Sequence, residues 1–184
     1  MIDRDNAPID ACDGVVDMVL ERLRHSYGSY TFFTERDLVW TLQGWFREEL
    51  LHRDLPHRVF SDFPMLPGSR RALSADLALV LDGKADVVFE LKYEPSHNRK
   101  RVDIWENKFP VVNWKDVVND TVRIEQFVKA EKCRKAYAML IDEGQYFRKR
   151  TISGNGRWED WEIPGKPGPL VSVHICSANR LSNG

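Results

Sequence analysis

The residues able to do chemistry are concentrated between Asp76 and Lys92. Asp76 is followed fourteen residues later by Glu90-Leu91-Lys92. Both ends of this spacing fall in segments built for strands: LSADLALVL (73–81) and DVVFELKY (86–93) are rich in branched and aromatic residues, which suit a pleated surface. Alternate side chains of a strand share a face, so Glu90 and Lys92 point one way while Phe89, Leu91 and Tyr93 point the other. A charge in the middle of an apolar strand is costly to bury unless it is paired or bound to a metal. With Asp76 on the same face, two carboxylates converge beside a lysine, and hard oxygen ligands of that kind suit Mg²⁺, with Mn²⁺ as a substitute. The ion would polarise a phosphodiester and lower the pKa of a bound water, while Lys92 orients that water or stabilises the developing charge.

Whether Asp76 reaches that face depends on the connection. Directly opposed residues of an antiparallel hairpin keep a constant index sum, and 76 with 90 gives 166. An even sum requires an odd number of connecting residues, such as Asp82-Gly83-Lys84, or a β-bulge. A regular two-residue Asp-Gly turn would put Asp76 on the wrong face.

The elements that must position these groups follow from periodicity. An amphipathic helix runs from about Ala11 to His25, with Val15, Met18, Val19 and Leu23 on one stripe, and breaks at Tyr27-Gly28. A second helix starts after Thr34 as N-cap and carries Leu38, Leu42, Trp45 and Phe46 as far as Leu51; its stripe continues onto Glu49. RVFSDFPM (58–65) reads as a short strand ahead of the 73–81 and 86–93 hairpin. The polar stretch 95–110 reads as a surface loop, with or without a short helix. Val117, Thr121, Ile124, Phe127 and Val128 mark a third helix over about 114–132, followed by the strand AYAMLI (136–141). QYFRKRTI (145–152) and RWEDWEI (157–163), separated by Ser153-Gly154-Asn155-Gly156, suggest a β-ribbon, with 164–169 a loop, 170–176 a last strand and a frayed tail from Asn179. The fold class is α/β or α+β, a mixed central sheet flanked by helices, in one domain spanning 1–184.

ADLALV, a turn and VVFELKY resemble the core of the PD-(D/E)-x-K nuclease superfamily, the restriction-endonuclease-like fold. The order helix, three antiparallel strands, helix, strand is similar to that family's αβββαβ core and covers about 34–141, with an extra N-terminal helix and the C-terminal strands of 145–176 outside it. The resemblance implies Asp76 and Glu90 as metal ligands, Lys92 as the catalytic cation, and a further glutamate from the preceding helix, for which Glu49 is the choice and Glu48 the alternative. It implies Mg²⁺-dependent phosphodiester hydrolysis of DNA, as an endonuclease. Ala75 stands where the family's proline would be, and the Gln-x-x-x-Tyr signature of exonuclease-type members is missing. The rival expectation is a nuclease-like domain that binds nucleic acid or a protein partner without cutting. A third is an unrelated α+β protein in which the Glu90–Lys92 pair is structural and Asp76 and Glu90 face opposite sides of the hairpin.

Composition bounds the partners. Lys and Arg total 27 against 28 Asp and Glu, a formal charge of -1, so nucleic acid would be held by local basic patches and not by the overall field. Arg70 and Arg71 lie just ahead of the Asp76 strand, Arg99, Lys100 and Arg101 just beyond Lys92, and Arg148 to Arg150 in the ribbon. Trp105, Trp114, Trp158 and Trp161 are candidates for stacking on bases. Cys12, Cys133 and Cys176 have no zinc-finger spacing and read as reduced packing residues of a cytoplasmic protein. The N-terminal stretch has no signal-peptide pattern and no segment reads as a membrane span, so no membrane partner is expected. The five histidines, His25, His52, His57, His97 and His174, form no H-E-x-x-H motif. A homodimer would match the two strands of a duplex, but the sequence carries no clear dimer signature.

Overall fold

Thr34 and Asp37 explain where the second helix begins. In the computed structural model the Thr34 hydroxyl accepts from Asp37 N–H, and Asp37 Oδ2 accepts from Thr34 N–H at 2.8 Å, a reciprocal cap for helix α2, Glu35–His52. Leu38, Val39, Leu42, Trp45, Phe46 and Leu50 recur along it at intervals of three and four and are buried. Helix α1, Ala7–Ser26, packs Cys12, Val15, Val16, Val19 and Leu23 beside them. Together α1 and α2 cover one sheet face through Leu77, Leu79, Phe89, Leu91 and Tyr93. Each fully buried Leu or Phe there contributes roughly 1.5–3 kcal/mol. The structure describes residues 7–65, 73–96, 111–151, 155–162 and 169–180.

The sheet has six strands: β1 Arg58–Pro64, β2 Ser74–Leu81, β3 Lys84–Glu94, β4 Lys135–Asp142, β5 Arg157–Glu162 and β6 Pro169–Asn179. Their order is β1-β2-β3-β4-β6-β5. Only β3 and β4 pair in parallel; the other neighbours are antiparallel, so the sheet is mixed. The β3 to β4 crossover carries helix α3, Trp114–Lys129, whose Ile124, Phe127 and Val128 cover the second face over Ala78, Val80, Val88, Ala136 and Ala138. The protein is therefore α+β, a six-stranded mixed sheet between α1 and α2 on one side and α3 on the other.

The β2–β3 connection decides the position of Asp76. Asp82 and Gly83 both have positive φ, 50° and 76°, and Leu81 pairs with Lys84. This is a two-residue type I′ turn, not the three-residue connection. The register then shifts: Val80 pairs with Ala85, Leu79 with Val87 and Leu77 with Phe89, so Asp86 is an extra, bulged residue. Beyond the bulge the index sum is 166, as Asp76 opposite Glu90 requires. Asp76 and Glu90 therefore share a face, and the expectation that the two carboxylates lie on opposite faces of the hairpin is corrected.

Two further expectations change. Residues 145–151 form turns, not a strand, and the ribbon is made instead by β5 with β6. β6 sits between β4 and β5, and Asn179 pairs with Lys135 as part of the strand, not of a frayed tail. The three cysteines are free and buried. Among the described residues no helix is long and apolar enough to cross a membrane.

Candidate active site

Alternation along β2 and β3 puts Asp76, Glu90 and Lys92 on the α3 side of the sheet, in line with Ala78 and Val88. The last ladder pair of the hairpin is Leu77 with Phe89. One step beyond it, Asp76 Oδ2 accepts from Leu91 N–H at 2.7 Å, so a carboxylate replaces a backbone carbonyl as partner. Lys92 Nζ lies 3.2 Å from Asp120 Oδ2 and 3.3 Å from Glu35 Oε2, and donates to Leu91 O at 2.9 Å. Arg123 Nη1 donates to Glu90 Oε2 at 3.0 Å and lies 3.2 Å from Asp120 Oδ1. The cluster thus draws on β2, β3, the first turn of α2 and the middle of α3.

Its electrostatics are unbalanced. Among the described residues, Glu35, Asp76, Glu90 and Asp120 face two cations, Lys92 and Arg123. All four carboxyls are pushed above their ordinary values, by burial first. Glu90, 1% exposed, is lifted furthest, to about 8: burial and the neighbouring Asp76 outweigh Arg123. Burial alone would lower Lys92, but Asp120, Glu35 and Asp76 more than offset it, so the ammonium stays charged. Glu90 Oε1 is buried and has no hydrogen-bond partner.

With Glu90 holding its proton up to about pH 8, Glu35, Asp76 and Asp120 exceed Lys92 and Arg123 by one negative charge, and by two once Glu90 ionises. That excess and the unpartnered buried Glu90 oxygen fit a divalent cation. No three of these carboxylates bring oxygens within 4.8 Å of one another; among the described residues that distance is met by a different group, Cys12, His57 and Asp86. An ion at the carboxylate cluster would therefore draw on fewer than three of these side chains, with water or phosphate oxygens completing its shell.

Glu49 is not brought to this cluster. It lies fourteen residues along α2 from Glu35, about 21 Å at the helical rise. Glu48 is exposed and pairs with Arg22 at 2.7 Å. The acid that α2 supplies is Glu35, in its first turn. Asp120 and Arg123 were also missed. Asp120 lies three residues after Val117 and four before Ile124, so a carboxylate interrupting an apolar stripe was the available signal. Glu35 gave none beyond that of an ordinary acid in a first helical turn.

Arg70, Arg71, Arg99, Lys100, Arg101, His97 and Trp105 lie outside the described residues. Arg148 is paired with Asp160 at 3.0 Å. Trp161 is buried against Tyr27 and belongs to the core. Trp114 and Trp158 stack on each other, with ring centres 6.4 Å apart. A comparison with protein-family models finds no match to this chain, and neither does one with curated proteins.

Proposed function

We propose that the chain is a metal-dependent phosphodiesterase acting on DNA as an endonuclease, built on a restriction-endonuclease-like core formed by α2, β1, β2, β3, α3 and β4. The observation that carries this reading is the Asp86 bulge, which turns Asp76 onto the face of Glu90 and Lys92 although the turn has two residues. The element order, the αβββαβ series running from α2 to β4, supports it. So does a glutamate delivered by the preceding helix, at Glu35.

Asp76 and Glu90 would hold the ion, Mg²⁺ or Mn²⁺. When bound, it supplies Lewis-acid polarisation of the phosphodiester and a water of lowered pKa. The chain's own residues do the rest. Lys92, kept charged by Glu35 and Asp120, faces the negative charge that develops on the phosphate. Arg123 holds one Glu90 oxygen and leaves the other free.

Incubating supercoiled plasmid with the protein and Mg²⁺ tests the reading. Nicked or linear product is expected, and Asp76→Asn, Glu90→Gln and Lys92→Ala should each reduce it by at least roughly a hundredfold. Cleavage surviving Asp76→Asn would refute the mechanism. Calorimetric Mn²⁺ binding without cleavage would instead identify a domain that binds without cutting.

A further inference from the structure

We infer that Cys12, His57 and Asp86 form a second, buried metal site that takes Zn²⁺ or a divalent ion of similar softness. Their potential ligand atoms all lie within 4.8 Å of one another and all three residues are buried. They come from α1, from the residue leading into β1, and from the β3 bulge. The donor types decide the metal: a thiolate, an imidazole and a carboxylate are zinc's ligands, whereas the all-oxygen cluster at Glu90 suits Mg²⁺.

A second observation points to an ion. The His57 side chain is fully buried, and its Nδ1 has no hydrogen-bond partner while Nε2 lies 3.1 Å from Asp86 Oδ2. An unsatisfied buried nitrogen is destabilising, a deficit that coordination through Nδ1 would remove. Asp86 is also held from outside the three-residue group. Arg134 donates to Asp86 Oδ1 at 2.7 Å and Oδ2 at 3.2 Å, and to Asp13 at 2.8 and 3.0 Å. Such contacts orient a ligating carboxylate from outside the coordination shell. Arg134 brings a positive charge next to the proposed cation, but Asp13 offsets it. Lys135 Nζ also lies 3.6 Å from Asp13 Oδ2, so Asp13 and Asp86 are matched by Arg134 and Lys135, and a Cys12 thiolate offsets one of the two charges of a divalent ion. Binding releases the thiol proton to solvent.

The ion would tie α1 and β1 to the bulge, whose extra residue sets the hairpin register, and so brace that register from the turn end of the hairpin. The inference does not depend on the chain being a nuclease.

Co²⁺ titration of the chelator-stripped full chain, with Mg²⁺ in excess to occupy the carboxylate cluster, provides the test. One equivalent should bind with a thiolate-to-cobalt charge-transfer absorption in the near ultraviolet. Cys133→Ala/Cys176→Ala leaves Cys12 as the sole thiol and should keep that absorption. Cys12→Ala should lose it, and Asp76→Asn should leave it unchanged. Zn²⁺ at a hundredfold excess over its Kd should raise the Tm of the unsubstituted chain by roughly 5–10 °C. Absence of the thiolate band in the unsubstituted chain, or its loss in the Cys133→Ala/Cys176→Ala chain, would overturn the site.

Discussion

Glu90 gives the carboxylate cluster a definite pH signature. The folded chain holds its proton up to about pH 8, against an ordinary value of 4.5. A raised carboxyl pKa contributes stability that is fully present below the unfolded value and lost as pH rises through the folded one. Glu90→Gln keeps the shape and removes the titration, so its Tm should exceed that of the native chain at about pH 9 and the advantage should shrink steadily towards about pH 5. Thermal melts across that range check it; an offset that does not vary with pH contradicts the assignment. The second prediction concerns the helix acid. Glu35→Gln should reduce cleavage, whereas Glu49→Gln should leave both cleavage and, within about 0.5 kcal/mol, stability unchanged; the reverse order in a plasmid assay would restore Glu49 to the site. Asp76, Glu90 and Lys92 were legible because period-two alternation is a strong local rule. Glu35 was not, because extending an apolar stripe says which residues face the sheet but not which end of the helix reaches a given point on it.

The hairpin shows how far element-scale reasoning goes. Index parity restricted the connection to an odd loop or a bulge, but it did not choose between them. The choice was made by Asp82-Gly83, whose positive φ values favour a type I′ turn over a longer one. Gly83→Ala should therefore destabilise by about 1 kcal/mol, since a side chain at φ 76° is strained. Gly44, in the exposed middle of α2, has nothing within 4 Å of an added Cβ, and Gly44→Ala should stabilise by about 0.5–1 kcal/mol. Denaturant titrations of the two variants should move in opposite directions; a loss at Gly44 would mean that α2 is not helical there. The helices and the first three strands were readable because their patterns are long and local. The pairing of β5 with β6 was not, because β6 is placed between β4 and β5 by contacts distant in sequence, and residues 145–151 carry strand-like composition but form turns and bends.

At the scale of the whole molecule, a chain of net charge -1 offers a polyanion little general attraction, and the carboxylate cluster adds a local excess of negative charge where a phosphate would have to approach. Binding to DNA should then depend on the ion that neutralises that cluster. Fluorescence anisotropy with a labelled duplex should show weak binding in chelator and at least roughly tenfold tighter binding in Ca²⁺, a change of about 1.4 kcal/mol. The double substitution Asp76→Asn/Glu90→Gln, studied at about pH 9 where Glu90 is ionised, removes two of the four negative charges without an ion. Its affinity in chelator should exceed that of the native chain, and its response to Ca²⁺ should largely disappear. The competing expectation has the opposite sign: a domain that grips DNA through basic side chains away from the cluster binds equally well in chelator and in Ca²⁺, and weakens only with added salt. If native affinity is indifferent to the divalent ion while salt abolishes it, the cluster does not face the nucleic acid, and the chain is a binding module whose buried carboxylates are held for structure by Lys92 and Arg123.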